Sequence, residues 1–140
     1  MPFTKIWIHL IWSTKNREKL INKESKQILL QHIKENARLK EIFIDTLNCV
    51  QDHIHLLISL GREQTISKIV MLIKGESSNW VNKNKLLKGK FEWQDEYIAV
   101  SVSESQVDKV REYIKNQEEH HLIKSFEEEN NLFLKKYHFG

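Results

Sequence analysis

At 140 residues the chain is one domain in length, 40% hydrophobic and 29% charged, with no apolar run near the roughly 20 residues that span a bilayer. Its start, Met1-Pro2-Phe3-Thr4-Lys5, carries no secretory pattern, and the single Cys49 excludes an internal disulfide, so a soluble, cytoplasmic protein is expected. The formal net charge of +3 divides into +8 over residues 1–90 and −5 over residues 91–140, which permits a polyanionic partner for the basic part, although solvated faces balancing by chance give the same numbers.

Ile6, Ile8, Leu10 and Trp12 alternate with Trp7, His9 and Ile11, predicting a well-buried first strand. A polar stretch over residues 13–19 leads to a predicted helix over about residues 23–39, with Leu29, Ile33 and Ala37 on one stripe. Strands over about 42–50 and 53–60 are separated only by Gln51 and Asp52, so they form a hairpin. After Gly61 a second helix begins near Ile66, with Ile66, Ile69, Val70 and Ile73 at helical spacing, and continues past Gly75 towards Trp80. Lys83, Lys85, Lys88 and Lys90 then crowd a short segment containing Gly89, an exposed loop. Residues 97–102 form a fourth strand. Ser103 with Gln106 makes a capping-box pattern opening a third helix, whose apolar stripe is Val107, Val110, Ile114 and His121. Ser125 with Glu128 opens a last, more acidic helix.

This order predicts an α+β fold: a ferredoxin-like split βαβ arrangement, with a four-stranded antiparallel sheet, helices on one face and additional C-terminal helices. There is no repeat and no low-complexity linker, so residues 1–140 read as one domain. The scaffold is widely reused and says little about activity.

Two places can carry chemistry. In the third strand Ile54, Leu56, Ile58 and Leu60 face one way, while His53 and His55 face the other, side by side. Two imidazoles so placed can share a metal ion. Partly exposed histidines with no task are the plainer alternative, and the motif alone does not decide. In the third helix Tyr113 and Gln117 lie four residues apart, one above the other on the flank of the apolar stripe. Alone, that tyrosine reads as a packing residue with its hydroxyl at the edge of the core. That reading loses ground beside the histidine pair, because a third neutral ligand and a nucleophile are what such a metal would lack. The adjacent His120 and His121 point about 100° apart on a helix and chelate a common ion poorly.

Taken together these residues resemble the IS200-like (IS200/IS605) single-tyrosine transposases of the HUH endonuclease superfamily. The resemblance spans nearly the whole chain. It runs through His9-Leu10-Ile11-Trp12-Ser13-Thr14-Lys15, Asp52-His53-Ile54-His55-Leu56-Leu57-Ile58 and Leu72-Ile73-Lys74-Gly75. It continues through Ala99-Val100-Ser101-Val102-Ser103 and Val110-Arg111-Glu112-Tyr113-Ile114-Lys115-Asn116-Gln117 to His120-His121. The resemblance implies that His53, His55 and Gln117 hold a divalent metal and that Tyr113 is the nucleophile. It also implies a homodimer in which the tyrosine helix of one copy can complete the other's site. Gln51 stands where a proline often precedes the Asp-His-x-His segment, a difference that bears on the turn rather than on the metal.

The implied reaction is cleavage and rejoining of single-stranded DNA near hairpins, through a covalent phosphotyrosine and a free 3′-hydroxyl. Two imidazoles and an amide leave the cation's charge uncompensated, and open positions suit Mg²⁺ or Mn²⁺, with imidazole favouring Mn²⁺ somewhat. Lys15, Arg17, Lys74, Lys83, Lys85, Lys88 and Lys90 are the candidates for phosphate contact, with Trp80 and Trp93 as candidates for base stacking. Three alternatives stay open. A domesticated relative would apply the same chemistry to chromosomal repeat hairpins. A ferredoxin-like nucleic-acid-binding module would do no chemistry. A zinc hydrolase would lack an acidic base beside its histidines, because Asp52 points away from them on an ideal strand.

Overall fold

Every residue of the first strand, β1 (Trp7–Ser13), is buried. A strand that is apolar on both sides needs cover on both sides, and the computed structural model, which describes residues 3–117, supplies it. After β1 come α1 (Lys23–Leu39), β2 (Phe43–Cys49), β3 (His53–Ser59), α2 (Ile66–Lys83), β4 (Ile98–Val102) and α3 (Val107–Lys115). Single 3₁₀ turns occupy Lys15–Arg17 and Glu104–Gln106. The sheet order is β2-β3-β1-β4 with all neighbours antiparallel, as the ferredoxin-like expectation required.

Helices α1 and α2 cover one face. Leu29, Ile33 and Ala37 of α1 and Ile69, Val70, Ile73 and Val81 of α2 pack on Ile8, Leu10 and Trp12 of β1 and on Ile54, Leu56 and Ile58 of β3. Asn22 caps α1 by accepting a hydrogen bond from Ser25 N–H at 2.8 Å, and Thr65 caps α2 through Lys68 N–H at 3.3 Å. Helix α3 covers the other face, where Val107, Val110 and Ile114 pack on Trp7, Leu57 and Val102. The site lies under α3.

Strand β2 does not keep period two. Ile42, Ile44, Leu47 and Cys49 all belong to the larger core, so the apolar pattern slips by one residue after Ile44. A β-bulge does this: Ile44 faces Ile58 and Thr46 faces Leu57, leaving Asp45 as the extra residue. The slip puts Thr46 and Asn48 on the α3 face.

One expectation at the C-terminal end is corrected. Ser103 makes no capping hydrogen bond, its Oγ lying 3.3 Å from Ser105 Oγ instead, and a 3₁₀ turn intervenes before α3 begins at Val107. The regular helix spans Val107–Lys115, Asn116 N–H still bonds back to the Glu112 carbonyl at 3.0 Å, and Gln117 follows one turn residue later; the continuation of the stripe to His121 lies outside the described residues. The predicted helix opening at Ser125, and the pair His120 and His121, lie outside the described residues.

Candidate active site

Facing residues of an antiparallel pair project to the same side of a sheet. His55 faces Ile11, His53 faces Ser13 and Leu57 faces His9. One face therefore carries three histidines, His9, His53 and His55, all 0% exposed. The pairing of His53 with His55 is as expected, with ring centroids 5.2 Å apart. Their complete burial is not, since the bland alternative imagined exposed strand residues. His9, given no role in the sequence reading, joins the pair on this face. Its signal was a polar residue in the middle of an otherwise apolar strand.

The hydrogen bonds assign ring nitrogens. Asp52 Oδ1 lies 2.8 Å from His53 Nδ1, and a carboxylate oxygen only accepts, so Nδ1 donates. His53 Nε2 is then the electron-pair end, 3.0 Å from the Gln117 amide nitrogen, which donates to it. His55 Nδ1 lies 2.9 Å from His9 Nε2. The placement of Asp52 is a correction. It precedes β3 rather than continuing its alternation, in a turn held by Thr14 N–H on the Asp52 carbonyl (2.8 Å) and Ile21 N–H on the Gln51 carbonyl (3.0 Å). The carboxylate therefore turns to His53, not away from it.

Three contacts fix α3 above the histidines. Arg111 donates from Nε and Nη2 to the two oxygens of Asp45, each at 2.8 Å. The guanidinium holds the Asp45 carboxyl below the usual carboxylate range, and the Arg111 pKa is raised in turn. Asn48 Nδ2 donates to the carbonyls of Ile114 (2.9 Å) and Lys115 (3.2 Å) at the helix C-terminus. Trp7 Nε1 donates to Glu104 in the turn before the helix. Asn48 reaches α3 because of the bulge; Asp45, next to Ile44, is on that side by ordinary alternation. Tyr113 is half-buried, its ring edge-on to His55 at 5.7 Å and to His9 at 6.4 Å between centroids.

The donor set fits a divalent cation. Among the described residues no three His, Cys, Asp or Glu side chains gather to hold a metal; the Gln117 amide, 3.0 Å from His53 Nε2, is the neutral donor beside the histidine pair. An amide coordinates through oxygen, and a half-turn about its terminal bond exchanges that oxygen with the nitrogen now facing His53. The resulting set is neutral, leaving the ion's charge for a phosphate.

The basic residues are not one group. Lys15 pairs with Glu92 at 3.0 Å and Lys90 with the same carboxylate at 2.9 Å; the two cations hold the Glu92 carboxyl below its usual range. Lys74 Nζ donates to the carbonyls of Asp95 (3.0 Å) and Glu96 (3.4 Å), and burial lowers its pKa. With Asn16, Ser78 and Gln94, Lys15 and Lys74 line a cleft on the α2 side. Arg17 lines a second cleft with Ile11, Ser13, Gln94 and Tyr97. This one begins on the β1 residues that face His53 and His55. Lys83, Lys85 and Lys88 stand exposed at the end of α2 and after it. Trp93 is not free to stack on a base: it is buried, edge-on to Trp12 and Phe91, and donates to Ser77 Oγ at 2.8 Å. Trp80 is half-buried with one face stacked on His32 at 3.9 Å.

The chain thus carries a four-stranded antiparallel sheet with a buried histidine pair under a tyrosine-bearing helix, and its family is one of DNA-cleaving enzymes, the transposases. Residues 2–117 match the transposase family described as IS200-like, and the chain belongs to it. Among its relatives is the ISDra2 transposase TnpA of Deinococcus radiodurans, 30% identical over 115 residues that cover 78% of this chain and 81% of the relative. A transposase crystal structure from Deinococcus radiodurans superposes with a TM-score of 0.67 at 27% identity, covering 83% of this chain and 93% of that one. A REP-associated tyrosine transposase bound to a REP hairpin superposes with a TM-score of 0.65 over 86% of this chain and 72% of its own; at 17% identity it speaks for the fold alone. Among the described residues no helix is long and apolar enough to cross a membrane.

Proposed function

We propose that this IS200-like transposase cleaves and rejoins single-stranded DNA near hairpins, with Tyr113 as the nucleophile and a divalent cation, Mg²⁺ or Mn²⁺, held by His53, His55 and Gln117. The observation that carries this reading is the convergence of residues from two distant segments, β3 and the α3 region. Gln117 lies 3.0 Å from His53, and the Tyr113 ring lies 5.7 Å from that of His55.

In the reaction the Tyr113 oxygen bonds to phosphorus and the bond to the 3′ oxygen breaks. The proton lost from the phenol is made good at the departing 3′-hydroxyl, leaving a 5′-phosphotyrosine. A tyrosine with a reference pKa of about 10 is a weak nucleophile at neutral pH. A divalent cation held by His53, His55 and Gln117 would supply positive charge for the scissile phosphate and the developing phenolate. Asp52 holds His53, and Arg111 and Asn48 hold α3, so nucleophile and ligands meet with little reorganisation. The covalent link conserves the energy of the broken bond, so a second 3′-hydroxyl rejoins the strand by the reverse step.

The hairpin is the ligand carried by the REP-associated transposase of the same fold, and it is the partner proposed here. The cleft from Ile11 and Ser13 to Tyr97 supports a path for the single strand into the site, with the lysines around the end of the sheet taking phosphates. A homodimer exchanging α3 between copies would build composite sites from the same residues.

The test incubates the full chain with labelled single-stranded hairpin DNA from the flanks of its gene, with Mn²⁺ or Mg²⁺, followed by denaturing electrophoresis. A protein–DNA adduct is expected, lost with chelator and abolished by Tyr113→Phe while hairpin binding persists. An adduct formed by the Phe variant would falsify the assignment of the nucleophile. Hairpin binding with no adduct in either metal would leave a binding module instead.

A further inference from the structure

The reaction proposed above assigns no role to His9, although it is as deeply buried as the two ligand histidines. An imidazole in the middle of an apolar strand costs stability unless its polar edge is used. Its neighbours on that side of the strand, Trp7 and Ile11, are the kind of residue the position would otherwise take. What His9 does with its Nε2 is meet His55 Nδ1 at 2.9 Å.

We propose that His9 is a positioning residue: it accepts a hydrogen bond from His55 Nδ1–H and so leaves His55 Nε2 as the electron-pair donor for the divalent cation. This rests on reading His53 and His55 as metal ligands. A neutral imidazole carries one N–H, so one of the two rings in this contact donates and the other accepts. If His9 donated, the Nδ1 electron pair of His55 would be engaged and its proton would sit on Nε2, leaving no ring nitrogen for an ion. If His55 donates, Nε2 is available. The neighbouring histidine shows the same device in unambiguous form. The Asp52 carboxylate can only accept, so His53 donates from Nδ1 and keeps Nε2 for the site. His9 thus stands to His55 as Asp52 stands to His53. The outer partner of a metal-bound histidine sets its tautomer and ring orientation in this way. The ring of His9 also packs edge-on to Tyr113, so the residue that orients the ligand touches the nucleophile's helix as well.

Two measurements on the full chain test this. The first uses the metal-free native protein well above the ordinary histidine pKa of about 6.5. Long-range ¹H–¹⁵N correlation spectra are expected to show the His55 proton on Nδ1. A proton on Nε2 overturns the proposal, with no substitution involved. The second titrates Mn²⁺ and follows the free ion by electron paramagnetic resonance in native protein, His9→Gln and His9→Leu. The glutamine oxygen reaches about as far as the imidazole Nε2 and accepts; leucine fills similar space and cannot accept. The Leu variant is expected to bind Mn²⁺ roughly 10- to 100-fold more weakly, with the Gln variant recovering most of the affinity. Equal affinity in the Leu variant, or equal loss in both, sinks the role of His9 while leaving the metal site standing. A native protein that binds no Mn²⁺ removes the metal site and this proposal with it. Should the Leu variant fail to fold by circular dichroism, the tautomer measurement decides.

Discussion

The role proposed for His53 needs one ring nitrogen held elsewhere and the other left facing the site, and Asp52 engages Nδ1. The contact is charge-assisted, about twice as strong as a neutral hydrogen bond, and it lies beside a ring that is 0% exposed. Asp52→Asn keeps an oxygen near Nδ1 and removes the charge. Mn²⁺ affinity is expected to fall about tenfold, read by the same resonance titration, with hairpin binding in the absence of metal unchanged. Undiminished affinity would mean that the carboxylate only braces the turn between β2 and β3. The turn itself is anchored through Thr14 and Ile21, so the variant is expected to fold.

Helix α3 has nine residues, too short to be stable alone, so its position depends on what it is fastened to. Val107, Val110 and Ile114 supply the apolar attachment, and the Arg111–Asp45 fork fixes its register over β2. The fork makes α3 sensitive to acid. The Asp45 carboxyl is held below its ordinary range chiefly by the hydrogen bonds from Arg111. A group depressed on folding stabilises fully above its unfolded pKa, near 3.9 for aspartate, and loses that contribution as the pH falls through its folded value. Asp45→Asn is therefore expected to lower the melting temperature at neutral pH, with the gap to native protein closing below about pH 4. A gap that stays constant down to acid pH would show that the bulge, not the charge, holds the helix. The bulge is the element-scale device that sequence periodicity contained and a simple strand reading passed over: Ile42, Ile44, Leu47 and Cys49 cannot share a face without it.

At the scale of the whole molecule, charge is distributed around one end of the sheet. Lys15, Lys74 and Lys90 are engaged with Glu92 or with the carbonyls of Asp95 and Glu96, so part of the positive charge holds the segment leading into β4. Lys83, Lys85 and Lys88 are exposed at the end of α2 and after it. Replacing these three with glutamine is expected to weaken hairpin binding and to reduce the slope of log affinity against log salt by up to about 2, at roughly 0.7 per single-strand phosphate contact. Cleavage of DNA already bound should be unaffected, since none of the three lies at the histidines. A salt slope that does not move would take this loop out of the interface.

Strand and helix periodicity is local, and it was enough to assign α1, the four strands and the β2–β3 hairpin to within a residue or two; α2 runs three residues past Trp80, so Lys83, expected in the loop, lies in its last turn. The spacing of His53 and His55 likewise put both on one side of β3, because side chains alternate along any strand. The resemblance of separated motifs pointed to Tyr113 and Gln117 as their companions. Other features depend on contacts across the chain. His9 reaches His55 only through the pairing of β1 with β3. Asp52 meets His53 because a turn escapes strand alternation. Trp93 left the list of base-stacking candidates because Trp12, Phe91 and Ser77 enclose it. Asn48 reaches the Ile114 and Lys115 carbonyls only because β2 packs beneath α3. Sequence determined which residues share a face; only the packing of one element on another decided which of those faces meet, because burial and hydrogen bonding between distant segments are properties of the assembled sheet.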